Sequence, residues 1–307
     1  MNRRRLLLSL PAASLIPAAA AVAPARVQAR IQVPQPFRSD RIVVEARGPA
    51  RPTGADVILI PGIASTGEVW DQTARALAAR RRVHVVTVRG FGPVPAGANA
   101  MGRVIEPVAA EIRRYARDAR LIRPAVIGHS MGGLIAVQAA AEPGMGPVMV
   151  VDGLPFFPAL AGPQTRAADI EPLARLGYQA LRLLGDDGLR NASAAIGGGQ
   201  GAGGLADMVF NGVGWHGGDR AVLAQSFYEV MTLDLRPRLP RLTAPVTVVY
   251  GWSPDSASPR AQLEGRLRDA WRGLPTPARF ERIEGAEHMV MIDRPGPFME
   301  AVGRFLG

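Results

Sequence analysis

Five short apolar runs, each followed within two residues by a glycine, constrain the fold of this 307-residue chain more than any other feature. The runs occupy residues 57–60, 83–88, 125–127, 148–151 and 246–250. They are continuous rather than alternating, which is typical of strands buried on both faces of a parallel sheet. Helix-like stretches lie between them, at 68–80, 104–119, 131–141 and 259–271. This alternation predicts an α/β fold with a doubly wound, mostly parallel sheet, and residues 41–47 predict an antiparallel edge hairpin ahead of it.

Residues 154–242 interrupt this alternation. They begin with several prolines, contain a glycine-rich run at 196–204, and include helix-like stretches near 172–184 and 221–232. An insertion of this size between two strands predicts a helical lid over the carboxyl ends of the sheet, with residues 30–153 and 243–307 as the core. The glycine run is either a flexible surface loop or a hinge, and we favour the surface loop.

Residues 1–29 have the pattern of an export signal. Arginines at positions 3–5 precede an almost uncharged apolar run, and Val-Gln-Ala at 27–29 gives a small-residue cleavage pattern. The paired arginines loosely match a twin-arginine signal. The alternative is a membrane anchor, since the run has about the minimum spanning length. Prolines at 11 and 17 favour cleavage, so we expect a soluble, exported protein, periplasmic or secreted, with no membrane span after cleavage.

Composition excludes several kinds of chemistry. The chain has no cysteine, which rules out disulfides, a thiolate nucleophile and zinc–thiolate sites. With four histidines there is little room for a histidine metal cluster, and we expect no metal and no cofactor. The net charge is +10, and every basic residue is arginine. The densest basic runs, 80–82 and 113–114, fall at helix ends and faces, so no nucleic-acid partner is expected.

The segment Gly128-His129-Ser130-Met131-Gly132 fits the pattern Gly-x-Ser-x-Gly. A short apolar strand precedes it and a helix-forming run follows, which is the context that a nucleophile on a tight strand-to-helix turn requires. Flanking glycines permit strained backbone angles and close helix–strand approach. The turn would place the Ser130 hydroxyl at a helix amino terminus, where backbone amides stabilise a developing oxyanion.

A serine hydroxyl needs a general base, and the histidines are the candidates. His84 lies inside a strand and is expected in the core, while His216 lies in the predicted lid. His129 adjoins the nucleophile, but we expect it to point elsewhere from a tight turn. His288 follows a strand-like stretch, 278–283, and precedes the last helix, so we predict it as the base.

These residues together resemble the α/β-hydrolase family, over nearly all of residues 41–307. In that family the triad follows the order nucleophile, acid, histidine, which Ser130 and His288 satisfy. Residues 60–64, Ile-Pro-Gly-Ile-Ala, resemble the family's oxyanion loop, with proline in place of the usual histidine. The resemblance implies that the backbone amides of Ile63 and Met131 form the oxyanion hole. Because both act through the backbone, isoleucine and methionine are acceptable there.

The resemblance leaves two positions for the acid. The family usually carries it as Gly-x-x-Asp after the strand that follows the lid, and here residues 251–255 read Gly-Trp-Ser-Pro-Asp, one residue longer. Some relatives carry it at the end of the strand before the lid, where Asp152 lies. Either carboxylate could fix the imidazole tautomer. Both remain alternatives, with Asp255 placed first.

The expected activity is that of a serine hydrolase cleaving a small-molecule carboxylic ester. Aromatic and large apolar residues of the predicted lid favour an apolar acyl or alcohol part: Phe156, Phe157, Phe210, Trp215, Phe227, Tyr228 and Met231. The family also includes lactonases, amidases, carbon–carbon hydrolases, acyltransferases and perhydrolases, which stay open as alternatives. A non-catalytic binding protein on this fold is a further alternative, and the presence of both Ser130 and His288 counts against it.

Overall fold

The computed structural model describes residues 37–183 and 217–307, except 255 and 257. The predicted export signal and the glycine run lie outside the described residues. Seven strands form one sheet in the order β1-β3-β2-β4-β5-β6-β7. The strands are β1 Ile42–Arg47, β2 Val57–Ile60, β3 Val83–Val88, β4 Ala125–His129, β5 Val148–Val151, β6 Val246–Trp252 and β7 Arg279–Glu284.

The pairing of these strands confirms the mostly parallel sheet. Strands β2 to β7 pair in parallel, and β1 alone is antiparallel. The predicted edge hairpin is wrong in one respect, because β1 pairs with β3 rather than with the next strand, β2. All four residues of β2 are buried, and both of its edges are occupied by β3 and β4. β1 therefore cannot pair with β2, and it pairs with the outer edge of β3.

Helices cover both faces of the sheet. They are α1 Asp71–Leu77, α2 Ile105–Asp118, α3 Met131–Ala140, α4 Ala167–Leu183, α5 Arg220–Thr232, α6 Arg260–Ala270, α7 Val290–Asp293 and α8 Pro295–Leu306. Successive strand side chains enter opposite layers: Ile58 packs in one core cluster with α2 and α3, and Val57 packs in the other with α8. This two-sided burial explains the continuous apolar runs of the sequence. No helix in the described part of the chain is long and apolar enough to cross a membrane.

The segment between β5 and β6, residues 154–242, contains α4 and α5, which pack against each other. Gly177 of α4 lies directly against the Phe227 ring, and a side chain there would collide with it. Glu229 of α5 is buried, and its carboxylate accepts hydrogen bonds from the backbone N–H groups of Val104 (2.8 Å) and Ile105 (2.9 Å). These amides begin α2, so α5 supplies the cap that a helix amino terminus needs. The role of this segment as a lid stays a prediction.

Candidate active site

Ser130 occupies the turn between β4 and α3. Its backbone has φ +52° and ψ −119°, a left-handed conformation that is uncommon for residues other than glycine. The Ser130 N–H donates to Val151 O (2.9 Å), and Gly133 N–H donates to Ser130 O (2.8 Å). The surrounding structure therefore holds the strained turn in place, as is typical of functional positions.

The glycines on either side of Ser130 allow this turn to close. A side chain on Gly132 would collide with the backbone carbonyls of Ile60 and Pro61, and one on Gly128 would collide with the backbone of Gly132. The first turn of α3 thus lies against the end of β2 with only hydrogen atoms between the two backbones. Larger residues at these positions would push the strand and helix apart.

His288 lies in the loop between β7 and α7, and its imidazole contacts the carboxylate of Asp152. His288 Nδ1 is 2.7 Å from Asp152 Oδ2, and Asp152 directly follows β5. Asp152 has φ +45°, and its N–H donates to Val249 O at 2.7 Å. The other ring nitrogen, His288 Nε2, and the Ser130 hydroxyl are both buried, and neither has a hydrogen-bond partner among the described residues. Ser130 Oγ and His288 Nε2, the two atoms between which a proton would move, are therefore both free of other hydrogen bonds among the described residues.

Residues 285–289 surround His288, and we name them the histidine loop. Hydrogen bonds between side chains and the backbone of this loop hold it in place. Asp293 accepts a hydrogen bond from Glu287 N–H (2.9 Å), and Arg294 Nε donates to Gly285 O (3.0 Å). Gly251, near the end of β6, lies against the carbonyls of this loop, and a side chain there would collide with them. Sequence reasoning missed these supports. Their one local signal is the Asp-Arg-Pro segment, 293–295, at the junction of α7 and α8.

The predicted oxyanion loop lies beside the nucleophile. A Cβ atom built on Gly62 would approach the Ser130 Cβ to 3.2 Å, so the loop and the serine are in contact. Ile63 is buried and follows Gly62, while Met131 is the first residue of α3. Neither of these two backbone amides donates a hydrogen bond to any part of the chain that the structure describes. Free, fixed N–H groups of this kind are what a developing oxyanion requires.

A pocket of about 470 Å³ lies beside Asp152 and His288. His288, Asp152 and Glu287 are its charged or titratable members, together with Tyr250. Most of the remaining lining is apolar: Leu154, Phe157, Pro158, Leu160, Met231, Leu263 and Leu267. Phe157 and Met231, two residues of the predicted lid set, therefore face this space.

The other predicted residues are distributed as follows. Phe156 is fully buried in the core, and Tyr228 packs edge-on against Tyr178. Phe210, Trp215 and His216 lie outside the described residues, and so does Asp255. His84 is buried, with Nδ1 2.7 Å from the Tyr115 hydroxyl, in agreement with the expected core position. In residues 37–183 and 217–307, no group of side chains is arranged to hold a metal ion.

His129 departs from expectation. We expected it to point away from the site, but its ring lies 4.5 Å from the His288 ring, centroid to centroid. Complete burial lowers the pKa of His129 well below the ordinary value of 6.5, and the nearby His288 lowers it further. The imidazole of His129 is therefore neutral at neutral pH.

A mostly parallel sheet wound on both sides, a serine at a strained strand-to-helix turn and a histidine–carboxylate pair in the loops after later strands are together typical of α/β-fold hydrolases. Comparison of the sequence with family models agrees with this architecture. The model of the "Alpha/beta hydrolase family" matches residues 57–301, and the chain belongs to that family.

Individual relatives are hydrolases of several kinds. The chain is 25% identical to an N-formylmaleamate deformylase of Pseudomonas putida over 260 residues, covering 82% of this chain and 89% of the relative. It is 25% identical to a pimeloyl-[acyl-carrier protein] methyl ester esterase of Vibrio vulnificus over 272 residues, covering 83% and 95%. Among solved structures, an enol-lactonase of Burkholderia xenovorans is similar in fold, with a TM-score of 0.62, 21% identity, and coverage of 86% and 96%. These relatives indicate that the chain is a hydrolase.

Proposed function

We propose that this protein is a serine hydrolase that cleaves carboxylic esters through an acyl-enzyme intermediate. The observation that carries the proposal is the 2.7 Å contact between His288 Nδ1 and Asp152 Oδ2. It assigns the proton of the neutral ring to Nδ1, because a carboxylate oxygen accepts hydrogen bonds and cannot donate them when ionised. Nε2 is then unprotonated, and in this tautomer it can accept the proton of Ser130.

The reaction follows from this arrangement. The Ser130 oxygen attacks the ester carbonyl carbon while His288 Nε2 takes the hydroxyl proton, and the carbonyl oxygen becomes an oxyanion. The Ile63 and Met131 amides donate hydrogen bonds to that oxygen. Collapse of the intermediate breaks the bond to the alcohol, which leaves with the proton from His288. Water, deprotonated by His288, then attacks the acyl-serine, and the acid leaves as Ser130 regains its proton.

We place Asp152 in the role of the acid. Its support is direct contact with the imidazole, together with backbone hydrogen bonding to β6 that fixes its position at the end of β5. Asp152 stabilises the imidazolium that forms during proton transfer and keeps the ring in the reactive tautomer. Asp255, the other candidate, lies outside the described residues and serves as the matched comparison in the test below.

The substrate class that we propose is an ester with an apolar acyl or alcohol part. The support is the apolar lining of the pocket beside His288, which includes Phe157, Met231 and Leu263. Burial of an apolar chain against such a surface contributes about 0.8 kcal/mol per CH₂ group. The similarity to a pimeloyl-[acyl-carrier protein] methyl ester esterase supports an ester as the substrate. We also propose that the protein is exported, on the pattern of residues 1–29.

A series of p-nitrophenyl esters of increasing acyl length tests the ester activity and the pocket together. We expect kcat/KM to rise with chain length until the apolar surface is filled, and to fall to background for the Ser130→Ala variant. A lactone and an anilide serve as comparison substrates. Folded wild-type protein that hydrolyses none of the esters above the Ser130→Ala background would contradict the proposal.

A further inference from the structure

His129 is a completely buried histidine whose ring the proposed reaction leaves unused. It ends β4 and directly precedes Ser130. Its Nε2 lies 2.9 Å from the backbone carbonyl oxygen of His288. Its Nδ1 has no hydrogen-bond partner among the described residues and faces Gly62, where a built Cβ would come within 2.8 Å. One side chain therefore contacts the oxyanion loop and the histidine loop, and its backbone is bonded to the nucleophile.

The hydrogen bond defines the protonation of this ring. A backbone carbonyl can only accept, so His129 Nε2 carries the proton and donates it to His288 O. Burial with no carboxylate partner keeps the second nitrogen unprotonated, in agreement with the lowered pKa of His129. The ring is thus a fixed donor that holds the backbone of residue 288.

The supports of His288 divide into two kinds. Asp152 holds the side chain through Nδ1 and fixes the tautomer. Asp293 and Arg294 hold residues 287 and 285 of the histidine loop, and both of those contacts are exposed. Among the hydrogen bonds of the described residues, His129 provides the one made to the backbone of residue 288 itself. The hydrogen bond from His129 is part-buried, so water competes for its groups less than for those of the two exposed contacts.

We propose that His129 is a positioning residue, which sets the distance between His288 Nε2 and Ser130 Oγ by tying the backbone of residue 288 to the end of β4. The inference rests on the proposed function, because it assigns His288 as the base. Since Ser130 directly follows β4, the end of one strand fixes the position of both reacting groups. Misplacement of a catalytic group by about 1 Å can cost about 100-fold in rate.

The experiment compares three variants with a matched control. His129→Phe keeps the ring volume and removes the donor, whereas His129→Gln places an amide N–H near the position of Nε2. His129→Asn keeps an amide but is too short to reach His288 O. The control is His84→Phe, because His84 is also a buried strand histidine with a hydrogen-bonded ring, and it lies outside the site.

We expect His129→Phe and His129→Asn to lower kcat by about 10- to 100-fold with KM changed by less than about threefold. The rate of phosphonylation of Ser130 by a fluorophosphonate should fall in the same proportion. His129→Gln should recover most of both rates, and His84→Phe should lower the melting temperature while kcat stays at the wild-type value. Rates are taken per folded protein, as measured by circular dichroism.

Two results would overturn the proposal. One is a kcat of His129→Phe or His129→Asn that matches the wild type. The other is a His129→Gln variant as impaired as His129→Asn, because the donor would then be irrelevant. Should His129→Phe fail to fold, the Gln and Asn pair decides alone. Failure of the wild type itself to react with the fluorophosphonate would contradict the proposed function, so the two failures are distinguishable.

Discussion

Replacing Asp152 by asparagine tests the acid of the proposed triad. The substitution keeps the size of the side chain and removes its charge. Asp152 has φ +45°, a left-handed conformation that both aspartate and asparagine tolerate, so the backbone should not change. An alanine at this position would combine the loss of the carboxylate with backbone strain. Asparagine is therefore the variant that isolates the contact with His288.

The expected loss follows from the geometry of that contact. Asparagine can present an N–H to Nδ1, which moves the ring proton to Nε2 and leaves no acceptor for the proton of Ser130. In a fully buried triad this change costs about 10⁴ in kcat. The Asp152 side chain is 28% exposed, so water already weakens part of its interaction with the ring. We therefore expect a loss of about 10³ in kcat, which corresponds to about 4 kcal/mol of activation free energy.

The assay is hydrolysis of the best p-nitrophenyl ester under saturating conditions, with Asp255→Asn as the matched control. We expect Asp152→Asn to lose about three orders of magnitude and Asp255→Asn to stay within about threefold of the wild type. The reverse pattern would assign the acid to Asp255 and refute the reasoning from the 2.7 Å contact. Loss of less than about tenfold in both variants would refute the acid role for either residue.

Three further predictions concern stability and the strand-to-helix turn at Ser130. Glu229→Ala leaves two buried N–H groups of α2 without acceptors, at about 1–3 kcal/mol each, and should lower the melting temperature by about 10 °C in calorimetry; an unchanged value would contradict the capping role. Gly132→Ala should abolish soluble expression or activity, because its side chain would lie 2.6 Å from Pro61 O, and an active, stable variant would show that the turn is less tight. Burial lowers the folded-state pKa of both His84 and His129 below 6.5, so the unfolded chain binds more protons and stability should fall as the pH drops below 6.5. A ring that stays fully neutral contributes a limiting slope of about 1.4 kcal/mol per pH unit. Urea unfolding at several pH values measures this slope, which should decrease in His129→Gln; a flat profile between pH 7 and 5.5 would contradict the buried neutral state of both rings.

The parts of the fold that depend on local sequence were predictable. Continuous apolar runs gave the positions of the buried strands, because a strand covered on both faces has no need for alternating polar residues. The turn at Ser130 was predictable because Gly128, Ser130 and Gly132 lie within five residues, between a strand-like and a helix-like run. The approach of Gly132 to the end of β2 had no such local signal.

Contacts between distant segments could not be predicted in this way. The Asp152–His288 contact joins residues 136 positions apart, and it depends on the order of β5, β6 and β7 in the sheet. The resemblance to the family's usual position placed Asp255 first, although the spacing there is one residue longer. The cap that Glu229 supplies to α2 spans 125 positions and has no motif. The edge pairing of β1 likewise depends on which strand leaves an edge free.

The direction of the His129 ring was the most instructive error. A tight turn suggested that the side chain next to Ser130 would leave the site. Instead, His129 is still the last residue of β4, and the reversal of the chain begins one residue later, at the left-handed Ser130. The strand conformation carries the ring of His129 towards the histidine loop, where it finds an acceptor at His288 O.

The most direct test of the central claim is covalent labelling of Ser130. Purified protein is treated with a fluorophosphonate, and the adduct is located by peptide mass spectrometry in the wild type and in Ser130→Ala. We predict one adduct per molecule, on Ser130, that is absent from the variant and is accompanied by complete loss of ester hydrolysis. Folded wild-type protein that remains unlabelled, or that is labelled at another residue while Ser130→Ala keeps its activity, would contradict the account.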